Sequence, residues 1–280
     1  MGTIMFKRMV RIELYRALHG RGMKFSLVAG LALALEHFIF RVLPQLDYMF
    51  FGYSPDAGSS CLRSMQGTWL GKTCVESNIY SAVATLLIVI PYAGSFYTDR
   101  TRGIVKNISV RGDKKAYLIA KSIAVSVSAG IAAVFPFIVS FMLTCTVMPV
   151  LNYCWNSAPA PVSMFTGIYL PLPVVYDILN MIILFLFAGL VAGIALFLSL
   201  YANNLFVVLS FPFLLYQISN RLLQYLGLSI GNRFITRLAP YPIFSINEGM
   251  PAIQLVILFI FVFAVGHFAF IIKGEKSDVL

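Results

Sequence analysis

The chain has 280 residues, of which 59% are hydrophobic and only 11% charged, and its formal net charge is +10. That leaves too little polar surface to coat a water-soluble body of this size, whereas a lipid bilayer accepts such a composition readily. The positive excess does not mark a nucleic-acid binder, because the basic residues form no stripe interleaved with stacking aromatics.

Residues 3–21 are predicted to form an amphipathic helix lying along the membrane. Met5, Met9 and Ile12 recur at helical spacing, flanked by Phe6 and Val10, and Lys7, Arg8 and Arg11 fall on the other face. Glu13 and Arg16 interrupt the apolar face; the competing reading is a basic leader that only sets topology.

Six apolar stretches follow, at 25–43, 79–96, 122–150, 174–200, 205–223 and 253–272. Most are near the ~20 residues that a helix needs to cross a ~30 Å hydrocarbon core. The expected fold is therefore an all-α polytopic membrane protein, a single transmembrane domain of six helices, with both termini on one side. The first stretch reads as a retained signal-anchor, since apolar sequence resumes after Glu36 through Phe38, Ile39, Phe40 and Leu43.

The side that holds both termini carries 15 of the 21 Lys and Arg residues and nets ten positive charges, while the other side nets zero. Because Lys and Arg are retained in the cytoplasm, this asymmetry places both termini in the cytosol and the protein in the plasma membrane.

The long outer loop 44–78 carries Cys61 and Cys74, and Cys145 and Cys154 flank the outer end of the third stretch. An even number of thiols on one side permits two disulfides, with Cys61 to Cys74 and Cys145 to Cys154 the simplest of three connectivities, and a reducing habitat would leave them as thiols. Gly67 and Gly71-Lys72-Thr73 in the same loop fall one residue short of the phosphate-loop spacing and lack its strand-to-helix context. Residues 227–250 mix Arg233, Arg237, Pro240, Pro242 and Glu248 with apolar side chains. This suits short helices at the outer interface as well as it suits a plain loop.

No catalytic motif appears, and His19, His37 and His267 lie on separate segments without ligand-spaced partners. The chain is accordingly read as no enzyme, with no catalytic residue, metal site or cofactor of its own. Glu36 and His37 toward the outer half of the first stretch, with Arg41 close by, and Asp177 and Asn180 at a similar level of the fourth, suggest a polar patch lining a translocation cavity or gate. Local pairing of these groups is the plainer alternative. Gly189 and Gly193 form a Gly-x-x-x-Gly for close helix approach, and Pro91, Pro136 and Pro212 mark expected bends.

The basic loop after the second stretch, residues 98–116, is the most distinctive polar segment. Ile104, Val105 and Ile108 form an apolar edge among cations, as expected of a short helix parallel to the membrane that docks into a cytosolic partner.

Asp99-Arg100, Gly103, Arg111 and Lys121 stand where type-2 ABC exporter permeases carry an acid-Arg pair, a Gly, an Arg and a Lys opening the third span. The segment resembles the coupling-helix region of that family, with Asp in place of the more usual Glu, and the layout of the whole chain is similar. The resemblance implies an amphipathic elbow helix, six spans and a pair of permease subunits, homodimeric by preference and heterodimeric otherwise. It also implies a separate cytosolic ABC ATPase, carrying ATP and Mg, gripped through Asp99, Arg100, Arg102, Gly103, Ile104, Ile108, Arg111 and Lys121. The expected cargo is amphipathic or hydrophobic, a peptide before a lipid. Alternatives are an ATP-independent carrier or channel, and a membrane protein of peptide immunity that binds without transporting.

Overall fold

The computed structural model describes residues 2–44, 78–111, 113–147, 173–225 and 260–276, and these contain helices and turns but no strand. Helix α1 (Gly2–His19) is separated by Gly20 alone from α2 (Arg21–His37), which runs on as a π-helical turn, Phe38–Val42. The expected second stretch is a helix, α3 (Asn78–Val89), that ends before Pro91. The chain turns over residues 90–94 and re-enters helix at α4 (Ser95–Thr101), followed by α5 (Ile104–Arg111). Next come α6 (Lys114–Val147), α7 (Pro173–Leu198) and α8 (Leu205–Tyr225). The last element, α9 (Ala269–Lys276), is entered through a second π-helical turn, Ala264–Phe268.

Among the described residues, three helical segments are long and apolar enough to cross a membrane: Arg21–Phe40, Lys114–Val147 and Met181–Leu198. A shorter apolar segment covers Leu205–Leu215. At 1.5 Å per residue the 34 residues of α6 reach about 50 Å, longer than an untilted crossing of a ~30 Å hydrocarbon core requires.

Helix α6 is the central post, with α1, α2, α3, α7 and α9 all packed against it. Small side chains make this possible, since Ala120, Ala124, Ala129, Ala132 and Ala133 are all buried along its length. Glycines on the partners bring backbones close. A Cβ on Gly189 of α7 would lie 3.0 Å from the Ser126 carbonyl oxygen, and one on Gly22 of α2 only 2.5 Å from that of Ile90. Gly193 sits beneath the His267 imidazole, where a Cβ would come within 2.4 Å of Nε2. In hydrocarbon such close packing, rather than water exclusion, drives helix association.

Helix α1 departs from the amphipathic face expected of it. Its inward face carries Met9, Glu13 and Ala17, at helical spacing, against the core. Met5, Ile12, Tyr15 and Leu18 are exposed, on the same outer face as Arg8 and Arg11. The physical reason is Glu13, whose carboxylate has its cationic partner on α6.

Candidate functional site

Two carboxylates, two cations and two phenols converge where α1, the turn after α3, α4 and the first turns of α6 meet. Lys121 Nζ lies 2.5 Å from Asp99 Oδ2, 2.9 Å from Glu13 Oε2 and 3.2 Å from Tyr92 Oη. Arg16 forks across the same two acids, at 2.8 Å from both Glu13 Oε1 and Asp99 Oδ1. Tyr92 donates to Glu13 Oε2 at 2.6 Å, and Tyr117 donates to Asp99 Oδ2 at 2.8 Å. Each carboxylate oxygen therefore accepts at least one charged donor, and the cluster is electrically neutral.

Neutrality and saturation matter because the group is closed from water. The Lys121 side chain is 0% exposed and that of Asp99 1%, while Arg16, at 39%, forms the solvent-facing lid. A buried ion pair is tolerated only when its geometry is good and its remaining lone pairs are met. The ammonium also lies 4.6 Å from the centroid of the Tyr92 ring, which adds a cation–π contact. Burial works to raise the Asp99 pKa, but the Arg16 hydrogen bond, the Lys121 charge and the hydrogen bonds from Lys121 and Tyr117 outweigh it and hold the carboxyl below its ordinary range. The hydrogen bond to Asp99 likewise pushes the Arg16 pKa up, against burial, so that guanidinium stays charged.

Asp99 and its neighbour Arg100 grip different parts of the protein because successive residues on a helix point about 100° apart. Arg100 donates to the backbone carbonyls of Leu200 and Ala202, in the turn between α7 and α8. Tyr97 donates to the Asn203 carbonyl in that turn at 2.8 Å. The two-turn helix α4 thus joins α1 and α6 on one side to the α7–α8 turn on the other.

Of the residues expected to grip a partner, Asp99 and Lys121 are interior and Arg100 is spent on the α7–α8 turn. Val105 is buried and Ile108 packs against the core, so the apolar edge of α5 anchors that helix to its own bundle. Arg102, Lys106 and Asn107 face outward. Gly103 makes the sharp turn between α4 and α5 at φ +70°, the left-handed region that favours glycine. Arg111 ends α5, and its side chain is outside the described set.

The polar patch expected near Glu36 divides in the structure. His37 is buried, with Nδ1 2.9 Å from the Ser140 hydroxyl of α6, and Glu36 keeps a buried Oε2 without a hydrogen-bond partner. Asp177 and Asn180 belong to α7. Helices α2 and α7 each pack on α6 without substantial contact with one another. The side chains of Asp177, Asn180 and Arg41, the cysteines Cys61, Cys74 and Cys154, and residues 227–250 lie outside the described set.

A second buried polar site went unread in the sequence. His267 Nδ1 lies 2.6 Å from the Ser122 hydroxyl, and Nε2 lies 3.0 Å from the Gly189 carbonyl and 3.2 Å from the Ser126 hydroxyl. A carbonyl only accepts, so Nε2 carries the proton and Nδ1 accepts from Ser122. The imidazole thereby clasps the last segment to α6 and α7. The Ser122-x-x-x-Ser126 repeat on one face of α6 was the available signal. Among the described residues no group of three or more His, Cys, Asp or Glu side chains could hold a metal ion.

Over the described residues these features define a class of protein no narrower than an all-helical one with three membrane-length apolar helices and a buried charge cluster beside the longest. No family profile, curated protein or solved structure matches the chain.

Proposed function

We propose that the chain is the permease subunit of an ATP-driven exporter of the type-2 ABC kind, working as a pair of subunits with a separate cytosolic ATPase. In this reading the six apolar stretches are all transmembrane, α1 is the elbow helix at the inner surface, and α4–α5 form the coupling element. Both termini face the cytosol at the plasma membrane. The chain itself performs no catalysis; ATP and Mg belong to the partner. The cargo is amphipathic or hydrophobic, a peptide before a lipid.

The observation that carries this reading is the double attachment of α4. A power stroke delivered to a cytosolic loop moves transmembrane helices only if the loop is fastened to them. Asp99 fastens α4 to the base of α6 and to α1, and Arg100 fastens it to the α7–α8 turn. A push on α4–α5 is thus delivered to four helices together, as tilting between inward-facing and outward-facing states requires. An ATP-independent carrier finds support in the unpartnered Glu36 Oε2. One lone acid is a poor basis for ion coupling, which ordinarily uses several buried groups.

The surface offered to the ATPase is the outward face of α5 and the turn before it, with Arg102 and Lys106. Reversing both charges, Arg102→Glu with Lys106→Glu, leaves every buried contact intact. Affinity purification from the native host in mild detergent is expected to recover a nucleotide-hydrolysing subunit with the unaltered chain and to lose it with the double variant, at unchanged melting temperature. Equal recovery with both chains would refute the coupling assignment.

A further inference from the structure

The structure leaves a strongly basic surface at the α1–α2 corner. Lys7, Arg8, Arg11, Arg21 and Lys24 are all exposed, and among the described residues none of the five forms an ion pair. Among the described residues no acid is paired with these cations. Residues 2–44 contain only Glu13, withdrawn into the buried cluster, and Glu36, near the other end of α2. Burying Glu13 with Lys121 therefore does more than hold α1 in place, because it withdraws from the outer face the one acid that α1 carries.

That face is also greasy. Ile12, Tyr15 and Leu18 are exposed among the cations, and Tyr15 stacks on His19 at 4.1 Å between ring centroids. Its depth is set by the chain itself, since only Gly20 separates α1 from the helix whose membrane-length segment begins at Arg21. Cations interleaved with aliphatic and aromatic side chains, at the level where a span leaves the bilayer, match the boundary between phosphate headgroups and acyl chains. A water-soluble acidic partner would satisfy the charges and leave the apolar residues uncovered.

We propose that the outer face of α1 and the first turn of α2 form a binding surface for anionic phospholipid headgroups of the inner leaflet. The lipid phosphates bridge Lys7, Arg8 and Arg11 while Ile12 and Leu18 rest on the acyl chains. Through Glu13 and Arg16 the lipid-bound helix is tied to Asp99 and Lys121, so anionic lipid stabilises the buried cluster from outside. This inference rests on the membrane insertion and cytosolic N-terminus of the proposed function and is independent of any ATPase.

The test is thermal unfolding of the purified full chain in detergent micelles doped with phosphatidylglycerol or, at equal mole fraction, phosphatidylcholine. The variants are a triple, Lys7→Gln, Arg8→Gln and Arg11→Gln, and a control double, Arg102→Gln with Lys106→Gln, which removes exposed cations elsewhere. Phosphatidylglycerol is expected to raise the melting temperature of the unaltered chain above that in phosphatidylcholine. The triple variant is expected to lose most of that difference, and the control to keep it. High salt should shrink the effect. An undiminished difference in the triple variant, an equal loss in the control, or the same shift produced by inorganic phosphate alone would each overturn the proposal. So would an acidic protein that remains bound to the unaltered chain against excess phosphatidylglycerol.

Discussion

Lys121 and Asp99 meet at 2.5 Å with both side chains closed from solvent, and this contact ties the base of the longest helix to the short helix that precedes it by a single turn-linked neighbour. Breaking it from one side strands a charge. Lys121→Met is expected to destabilise the chain by about 3–5 kcal/mol, the usual cost of an uncompensated buried ion. Adding Glu13→Gln restores neutrality and should recover part of that loss. Melting temperatures of the single and double variants in one detergent decide it, and a harmless Lys121→Met would show that the cluster contributes no cohesion.

Acid should loosen the same cluster in a defined window. The folded Asp99 pKa lies below the ordinary 3.8, so ionisation stabilises the folded state fully at neutral pH. That contribution is lost as pH falls below about 4 toward the folded value. Asp99→Asn is therefore expected to be less stable at pH 7 and to show a flatter fall in melting temperature between pH 5 and pH 3. Parallel curves for the two chains would contradict the assignment.

Gly193 and His267 form a size-matched pair. Gly193→Ala drives a methyl into the imidazole and is expected to cost about 1–3 kcal/mol, as overpacking does. In a His267→Ala background, which vacates the space, the same substitution should cost far less. A double-mutant cycle with no coupling would remove the contact from the account. Gly103→Ala is a useful contrast, because nothing lies within 4 Å of a Cβ there and only the left-handed backbone resists it, at about 1 kcal/mol.

Arg100→Ala should free the Leu200 and Ala202 carbonyls without opening the charge cluster. Loss of hydrogen bonds from a charged donor costs about 1.5–3 kcal/mol. The expected signature is faster amide hydrogen exchange in residues 199–204, with α1 unaffected. Faster exchange in α1 would mean that Arg100 serves the cluster instead.

Helix positions were legible in the sequence wherever apolar runs stood between polar boundaries: α2, α6, α7 and α8 fall close to the expected stretches, and Pro91 coincides with the break after α3. Long-range ion pairing was not legible. Glu13 read as a blemish on an apolar face because its partner Lys121 is 108 residues away, and the pairing exists only once α1 lies against α6. The apolar edge of α5 was visible as an edge, but periodicity cannot say whether a partner or the protein's own core covers it; Val105 and Ile108 are covered from within. The His267 contacts were not legible for the same reason, its hydrogen-bond partners being split between α6 and α7.

The central claim is that a soluble ATPase grips the α4–α5 segment and that this chain supplies the pathway. The most direct measurement is site-specific photo-crosslinking in living cells from a reactive side chain placed at Lys106, which is exposed on α5. The account predicts a single dominant adduct, to a nucleotide-hydrolysing subunit on the cytosolic side. An adduct with a protein outside the cell, or with a cytosolic protein that hydrolyses no nucleotide, would contradict it.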